Sequence, residues 1–432
     1  MKNYNTIKSN KTQVGHFSKT QTNQYMKTTL TLLILLFFCA CQHNEFETDI
    51  QYLGTDAIKY VRLYSNSPVL IADGKSSLTF KVKAFTEIER TITDKEGNIK
   101  QRIDTLEIIN DRLPQNEITI TTKSGETIND FCYKTDQILS GMQEFTAQIG
   151  SVKSLPIQVK LINKHEKFTP ITIPVIFHII SNNNTKEICT GITQKYLEEK
   201  LAHLNQAFSG DASNSPTATD TGIRFILATH TPEGKILKEA GIRREDRKNE
   251  KTADIKKHII NKLMWDPSRY LNIWIYDASA WDEASKAPKY ILNNGTEIEG
   301  LKLEKVTAIS DVTAKNPEDI GITLIASSFF KTKWESIFGT FFGLLPTYLD
   351  SDDKEEALKG KDSDYCVDTY SYERMYAAIE KWTFAKNILE RIYYDSYNIM
   401  DEYTAGNTIT PNQAVRIRQT TENCPFRMMR QQ

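Results

Sequence analysis

Seven histidines and six cysteines are the side chains of this 432-residue chain best suited to metal or nucleophilic chemistry. A catalytic zinc needs three strong donors, and two histidines at i and i+4 present a pair of them on one helical face. His178, His203, His230 and His258 each lack such a partner. His165-Glu166 opens an H-E-x-x-H phrase, but Thr169 stands where the second histidine belongs, and no histidine follows His258. These residues are therefore read as structural or surface histidines. Cys39 and Cys41 lie near the N-terminus, leaving Cys132, Cys189, Cys366 and Cys424 with no C-x-x-C spacing, so a thiolate zinc site is not expected. In an oxidising compartment a Cys366–Cys424 bridge is conceivable, although sequence does not fix the pairing. Ser76-Ser77 and Ser327-Ser328 fall in no G-x-S-x-G, and neither a P-loop nor a dinucleotide fingerprint is present. The acidic run at 350–356 lacks the spacing of a calcium loop and reads as a solvated segment.

The elements that would position these residues fall into two blocks. In the first, Leu78, Phe80, Val82 and Ala84 alternate with Thr79, Lys81 and Lys83, the period of a strand with one buried face. The alternation returns at Ile118 and Ile120, at Phe145, Ala147 and Ile149, and at Ile157, Val159 and Leu161. Asp73-Gly74, Glu96-Gly97-Asn98 and Ser124-Gly125 supply turns between them, which predicts an antiparallel sandwich. The segment from Pro68 to Gly74 looks like immunoglobulin-like modules of bacterial surface proteins, for which a spacer role is the plainest reading. The second block mixes grammars. Residues 171–180 form a near-continuous apolar strand, as for one covered on both faces, and 223–228 and 271–276 are further strands. Residues 194–208 carry Leu197, Leu201, Leu204 and Phe208 at helical spacing, and 255–264 and 375–392 read as helices by the same count.

Lys+Arg number 54 and Asp+Glu 55, so no basic surplus exists to neutralise phosphates, and no nucleic-acid partner is expected. The N-terminus suggests a destination. Met26-Lys27 precedes an apolar run over 30–38, too short to span a bilayer and suited to a signal peptide. Phe38-Cys39-Ala40-Cys41 resembles a bacterial lipobox, which implies lipidation of Cys41 and a membrane contact through the acyl anchor. Met26 reads as the true start, with 1–25 an upstream extension. Glu45, Glu47 and Asp49 resemble the export signals of Bacteroides-type surface lipoproteins, so the expected location is the cell envelope.

Five phrases of the second block carry a family resemblance. They are Ile173-Pro174-Val175-Ile176-Phe177-His178; Trp265-Asp266-Pro267 with Tyr270-Leu271-Asn272-Ile273-Trp274; Asp364-Tyr365-Cys366-Val367-Asp368-Thr369; Ser396-Tyr397-Asn398-Ile399-Met400-Asp401; and Thr410-Pro411-Asn412-Gln413. In this order and spacing they resemble pappalysin-like zinc metalloproteases, a metzincin branch. The resemblance implies that Asn398-Ile399-Met400 is the Met-turn, with Met400 packed beneath the metal. It also implies a zinc motif, H-E-x-x-H-x-x-G-x-x-H, between the second and third phrases.

The stretch that corresponds reads Ser336-Ile337-Phe338-Gly339-Thr340-Phe341-Phe342-Gly343-Leu344-Leu345-Pro346. Gly343-Leu344-Leu345 matches the family's Gly-Leu-Leu, and Gly339 matches the glycine that often precedes the second histidine. In that frame Ser336, Thr340 and Pro346 occupy the three ligand positions, and Ile337 replaces the general base. Hydroxyls are poor zinc ligands and proline offers no side-chain donor. Glu335 is one residue off the frame, a rotation of about 100° on a helix. Glu402 stands where the family places a tyrosine, with Tyr403 shifted by one. Ile337, Phe338, Phe341, Phe342, Leu344 and Leu345 make the stretch strongly apolar, which predicts either burial in the core or an outward aromatic groove.

The expected fold is α+β: an immunoglobulin-like β-sandwich at 57–164, then a metzincin-like zincin domain, a mixed sheet with helices, at 165–432. Leader and linker would occupy 1–41 and 42–56. The expected role is that of a catalytically inactive metallopeptidase homologue, with no cofactor, that binds peptide or protein in its inherited cleft. An active zinc endopeptidase with unrecognised ligands, for which zinc would be the cofactor, and an adhesin carried by 57–164 are the alternatives.

Overall fold

A computed structural model describes residues 55–427 except 94, 109–112, 114, 139–140, 213–214, 279–283, 313–315, 350–362, 371, 374–381, 385–390, 394–396 and 402–405. Met26, Cys41 and the rest of the leader, the acidic run at 350–356, Glu402 and Tyr403 lie outside the described residues. The chain divides into Met1–Leu53 and Gly54–Gln432, and the architecture below is that of the second unit. It is a mixed α+β structure with more sheet than helix.

The first strands are β1 (Tyr60–Ser65), β2 (Val69–Ile71), β3 (Leu78–Thr93), β4 (Ile99–Ile108), β5 (Ile118–Thr122), β6 (Thr127–Ile128), β7 (Cys132–Tyr133), β8 (Met142–Ile149), β9 (Val152–Lys153) and β10 (Ile157–Ile162). One sheet has the order β1-β3-β4 with β7 beside β3; the other runs β2-β10-β8-β5-β6 with β9 beside β8. Only the β2–β10 pair is parallel. The alternation in β3 has its physical cause in a shared interior. Leu78, Phe80, Val82 and Ala84 join Val61, Ile120, Phe145 and Val159 in one apolar cluster drawn from both sheets. Phe145 sits at its centre, with ring centroids 4.8 Å from Phe80 and 5.0 Å from Tyr133. Beyond Thr86 the alternation of burial stops. There β3 and β4 continue as a two-stranded arm exposed to solvent.

Further elements include β11 (Ile171–Ser181), α1 (Lys186–Gly191), α2 (Gln194–Ser209), β12 (Ile223–Leu227), β13 (Ile242–Asp246), α3 (Thr252–His258), β14 (Leu271–Tyr276), β15 (Tyr290–Leu292), β16 (Glu304–Val306), β17 (Ile322–Ile325), α4 (Trp334–Phe341) and α5 (Pro411–Asn423). A parallel sheet is centred on β11, whose first half pairs with β12 and second half with β13, while β14 and then β17 lie on its other side. Every residue of β14 is buried, as both faces of a parallel sheet require. On one face, Leu197, Leu201, Leu204 and Phe208 of α2 and the aromatics of α4 cover Ile173, Val175, Phe177 and Ile273. On the other, Ile255 of α3 and Ile259 and Leu263 of the π-helical turn after it pack on Trp274 and Tyr276.

The helix expected over 375–392 is corrected where it can be seen. Trp382–Phe384 and Arg391–Tyr393 are strands paired antiparallel. Their Trp, Thr, Phe, Ile and Tyr residues favour a pleated surface, and that preference overrode the helical spacing.

Candidate functional site

Helix α4 is the stretch that the family resemblance marks as metal-binding, and its sequence explains its C-terminal end and its orientation. Trp334, Phe338 and Phe341 recur at three- and four-residue spacing and are buried, so this stripe turns inward. Phe225 of β12 meets Phe338 and Phe342 at ring-centroid distances of 5.2 and 5.9 Å. Gly343 stops the helix at φ +87°, with its N–H donating to Thr340 O at 3.0 Å and Leu344 N–H donating to Gly339 O at 2.9 Å. This pair of bonds is a Schellman closure, which calls for a left-handed residue at that position.

Two glycines let neighbours approach the helix. A Cβ on Gly339 would lie 2.5 Å from Met400 Sδ, so this glycine is where the Met400 side chain packs on α4. A Cβ on Gly343 would lie 2.4 Å from Thr420 Oγ1 of α5, and Arg416 Nε donates to Gly343 O at 2.6 Å. Replacing Gly343 by alanine is expected to cost about 1–2 kcal/mol for the left-handed backbone alone. The loss of unfolding free energy in a denaturant titration checks it; an unchanged midpoint would show that the Schellman closure is dispensable.

The turn beneath α4 is held by a buried polar network. Asn398 Oδ1 accepts from Met400 N–H at 2.9 Å, an Asx-type turn that aims Met400 at the helix. Asn398 and Gln413 exchange side-chain amide bonds at 2.8 and 3.0 Å, and Gln413 Oε1 also accepts from Thr410 N–H at 3.1 Å. Thr410 caps α5 in a reciprocal capping box with Gln413, followed by Pro411 at the first helical position. Asp368 secures the same cap, accepting from Thr410 Oγ1 at 2.7 Å and from Asn412 N–H at 2.8 Å. Thr347, next to Pro346, donates its hydroxyl to Asp401, and Lys333 Nζ, just before α4, donates to Asp401 O at 3.0 Å. Three of the five sequence phrases thus converge physically on one turn and one helix cap. A cavity of about 40 Å³ adjoins them, bordered among others by Ser67, Ser215, Thr347, Asp368, Asn398 and Asp401.

The site residues named from sequence divide into those brought together and those not. Met400 meets α4 at Gly339. Ser336 and Thr340 are half-buried and one turn apart on α4, and Pro346 is half-buried in the loop after it. Ile337 packs half-buried against the main core, while Phe338, Phe341, Phe342 and Leu344 lie within that core. Of the two expectations for this apolar stretch, core filling is the one realised. Glu335 is half-buried and, like the others, does not bring a carboxylate cluster with it: among the described residues, no three His, Cys, Asp or Glu side chains gather as a metal-binding group. The positions that the sequence resemblance marks as ligands carry two hydroxyls and a proline, groups that do not fit zinc.

The histidines are dispersed. His178 on β11 is buried, its Nε2 3.1 Å from Asn272 Oδ1 and its ring stacked on Trp274 at 6.1 Å. Burial pushes its pKa down to about 3. His258 Nε2 pairs with Glu245 at 3.0 Å, His230 Nδ1 meets Thr229 Oγ1 at 2.9 Å, His203 is exposed on α2, and His165 stacks on Phe168 at 4.3 Å. No disulfide joins Cys366 to Cys424, so the bridge that the sequence leaves conceivable is not formed. Burial in apolar surroundings raises the Cys424 thiol to about 12, which makes it a packing residue rather than a nucleophile.

Sequence reasoning missed the roles of Thr347, Asp368, Gln413, Arg416 and Arg427. A signal existed for one of them. Thr410-Pro411-Asn412-Gln413 carries the Thr-x-x-Gln pattern of a capping box, which places Gln413 at a helix start.

The sequence matches no family model and no curated protein. Solved structures similar to this chain include mature mirolysin of Tannerella forsythia in complex with a cleaved peptide, at a TM-score of 0.41 and 18% identity over 61% of this chain and 96% of that one. A mutant of Tannerella forsythia promirolysin gives a TM-score of 0.38 and 17% identity over 61% of this chain and 84% of that one. Mirolysin in complex with a compound gives 0.38 and 18%, over 58% and 91%.

Proposed function

We propose that this chain is a non-catalytic relative of pappalysin-like metallopeptidases, lipid-anchored in the cell envelope through Cys41. Its first strands would form an immunoglobulin-like sandwich that acts as a spacer. Peptide or protein binding in the inherited cleft is the role this reading assigns. The observation that carries it is local: the Schellman turn at Gly343 and the Gly339–Met400 contact persist, while Ser336, Ile337, Thr340 and Pro346 supply neither ligands nor base. What remains is the support for a metal centre without donors able to grip a cation.

Burial offers a physical substitute for the metal's structural role. Each large side chain moved fully out of water contributes about 1.5–3 kcal/mol, and four such residues of the stretch lie in the main core. The test is zinc content after purification without added metal, measured together with cleavage of a broad peptide library. The expected result is substoichiometric zinc and no chelator-sensitive cleavage. One zinc per chain with cleavage abolished by chelator would overturn the proposal.

A further inference from the structure

The exposed arm formed by β3 and β4 ends in an unpaired edge. β4 closes its sheet, and among the described residues no other strand pairs with its outer side. It is long for an edge strand and carries Ile99 and Ile103 at 74% and 62% exposure. Proteins commonly protect such edges with charges of one sign, which repel an approaching copy. Here the charges are segregated along the strand instead: Lys100 and Arg102 in the first half, Asp104 and Glu107 in the second. An antiparallel copy of the same strand would meet opposite charges, so this arrangement invites its own copy where a uniform one would repel it.

We propose that β4 pairs antiparallel with β4 of a second copy, joining two arms into one continuous sheet. The register follows from elementary geometry. A two-fold axis perpendicular to the sheet keeps side chains on the same face, so the pairing must centre on a residue rather than between two. Centred on Arg102 it sets two guanidinium groups against each other, and centred on Asp104 it opposes two carboxylates. Centred on Ile103 it places Ile103 against its own copy, Arg102 opposite Asp104 on both sides of the axis, and Gln101 opposite Thr105. Arg102 and Asp104 already form an ion pair within the strand, and Arg90 Nε lies 3.4 Å from Asp104, so both partners are held on the same face of the arm. Pairing exchanges two pairs, one within each strand, for two between strands and covers the exposed Ile103.

The tests are molar mass in solution and thiol cross-linking, on the full chain. A dimer is expected whose dissociation constant rises about tenfold or more with Arg102→Asp or with Asp104→Arg, each of which opposes like charges. Mixing the two variants should restore association, since the two carboxylates at positions 102 and 104 of one strand then meet the two guanidinium groups of the other. Ile103→Cys should form a linked dimer under mild oxidation. Gln101→Cys and Thr105→Cys should not link alone but should link when mixed, with unchanged circular dichroism as the folding control. A monomer at every concentration, linkage independent of position, or failure of the mixed variants to associate would each overturn the proposal.

Discussion

Replacing Arg427 by alanine is expected to lower the unfolding free energy by about 3–5 kcal/mol, because a buried guanidinium would leave three carbonyls unsatisfied. Arg427 donates to Phe341 O at 2.8 Å, Asp319 O at 3.0 Å and Lys286 O at 3.0 Å. Its Cζ lies 3.8 Å from the centre of the Phe341 ring. Burial pushes the group down to about 9, so at neutral pH it is still a cation, placed against the C-terminal carbonyls of α4 where the helix dipole favours one. The three acceptors belong to α4, to the turn before β17 and to the segment after β14, and one side chain therefore ties together three pieces distant in sequence. Arg427→Lys keeps the charge but lacks the fork that reaches three acceptors, and its loss should be intermediate. Denaturant midpoints of the three proteins measure this. A loss below about 1 kcal/mol for the alanine variant would mean that water replaces the guanidinium at these carbonyls.

How much of this was legible in the sequence depends on the range of the interaction involved. The stripe Leu197, Leu201, Leu204 and Phe208 specifies α2 because periodicity is a local property, and the same holds for the alternation in β3. For the stretch 336–346 the structure shows what its two glycines do: one admits Met400 and the other closes the helix. The Asn398–Gln413 amide pair and the Asp368 carboxylate on the α5 cap were not legible, since they join residues 15 and up to 44 positions apart, beyond the reach of any local pattern. Residues 375–392 failed for a different reason. Short apolar spacing fits a helix and a strand equally well, and only the strand pairing of Trp382–Phe384 with Arg391–Tyr393 decides between them. Cys366 and Cys424 show the same limit, because composition allows a bridge that packing leaves unmade.

Acid is expected to destabilise the fold through His178, by about 2 kcal/mol between pH 7 and pH 5. The imidazole is buried between Trp274 and Trp265, with ring centroids 6.1 and 5.9 Å away. Its Nε2–H donates to Asn272 Oδ1, which is fixed in turn by Trp265 N–H at 2.9 Å, and Nδ1 has no hydrogen-bond partner among the described residues. Protonation would place a charge on Nδ1 with nothing to solvate it, and this desolvation, with Arg243 adding a smaller repulsion, holds the folded pKa near 3. Unfolding exposes an ordinary imidazole that titrates near 6.5. Above that pH both states are neutral and the group has no influence. Between 6.5 and 3 the unfolded chain binds a proton that the folded chain refuses, so stability falls as pH falls, by about 1.4 kcal/mol per pH unit. Glutamine at position 178 keeps a donor for Asn272 but cannot take up a proton in this range. Chemical denaturation of both proteins at pH 7, 6 and 5 isolates the term, since every other titrating group is common to the two. The His178→Gln curve should be flatter by the stated amount, and parallel curves would mean that the histidine is hydrated and titrates normally in the folded protein.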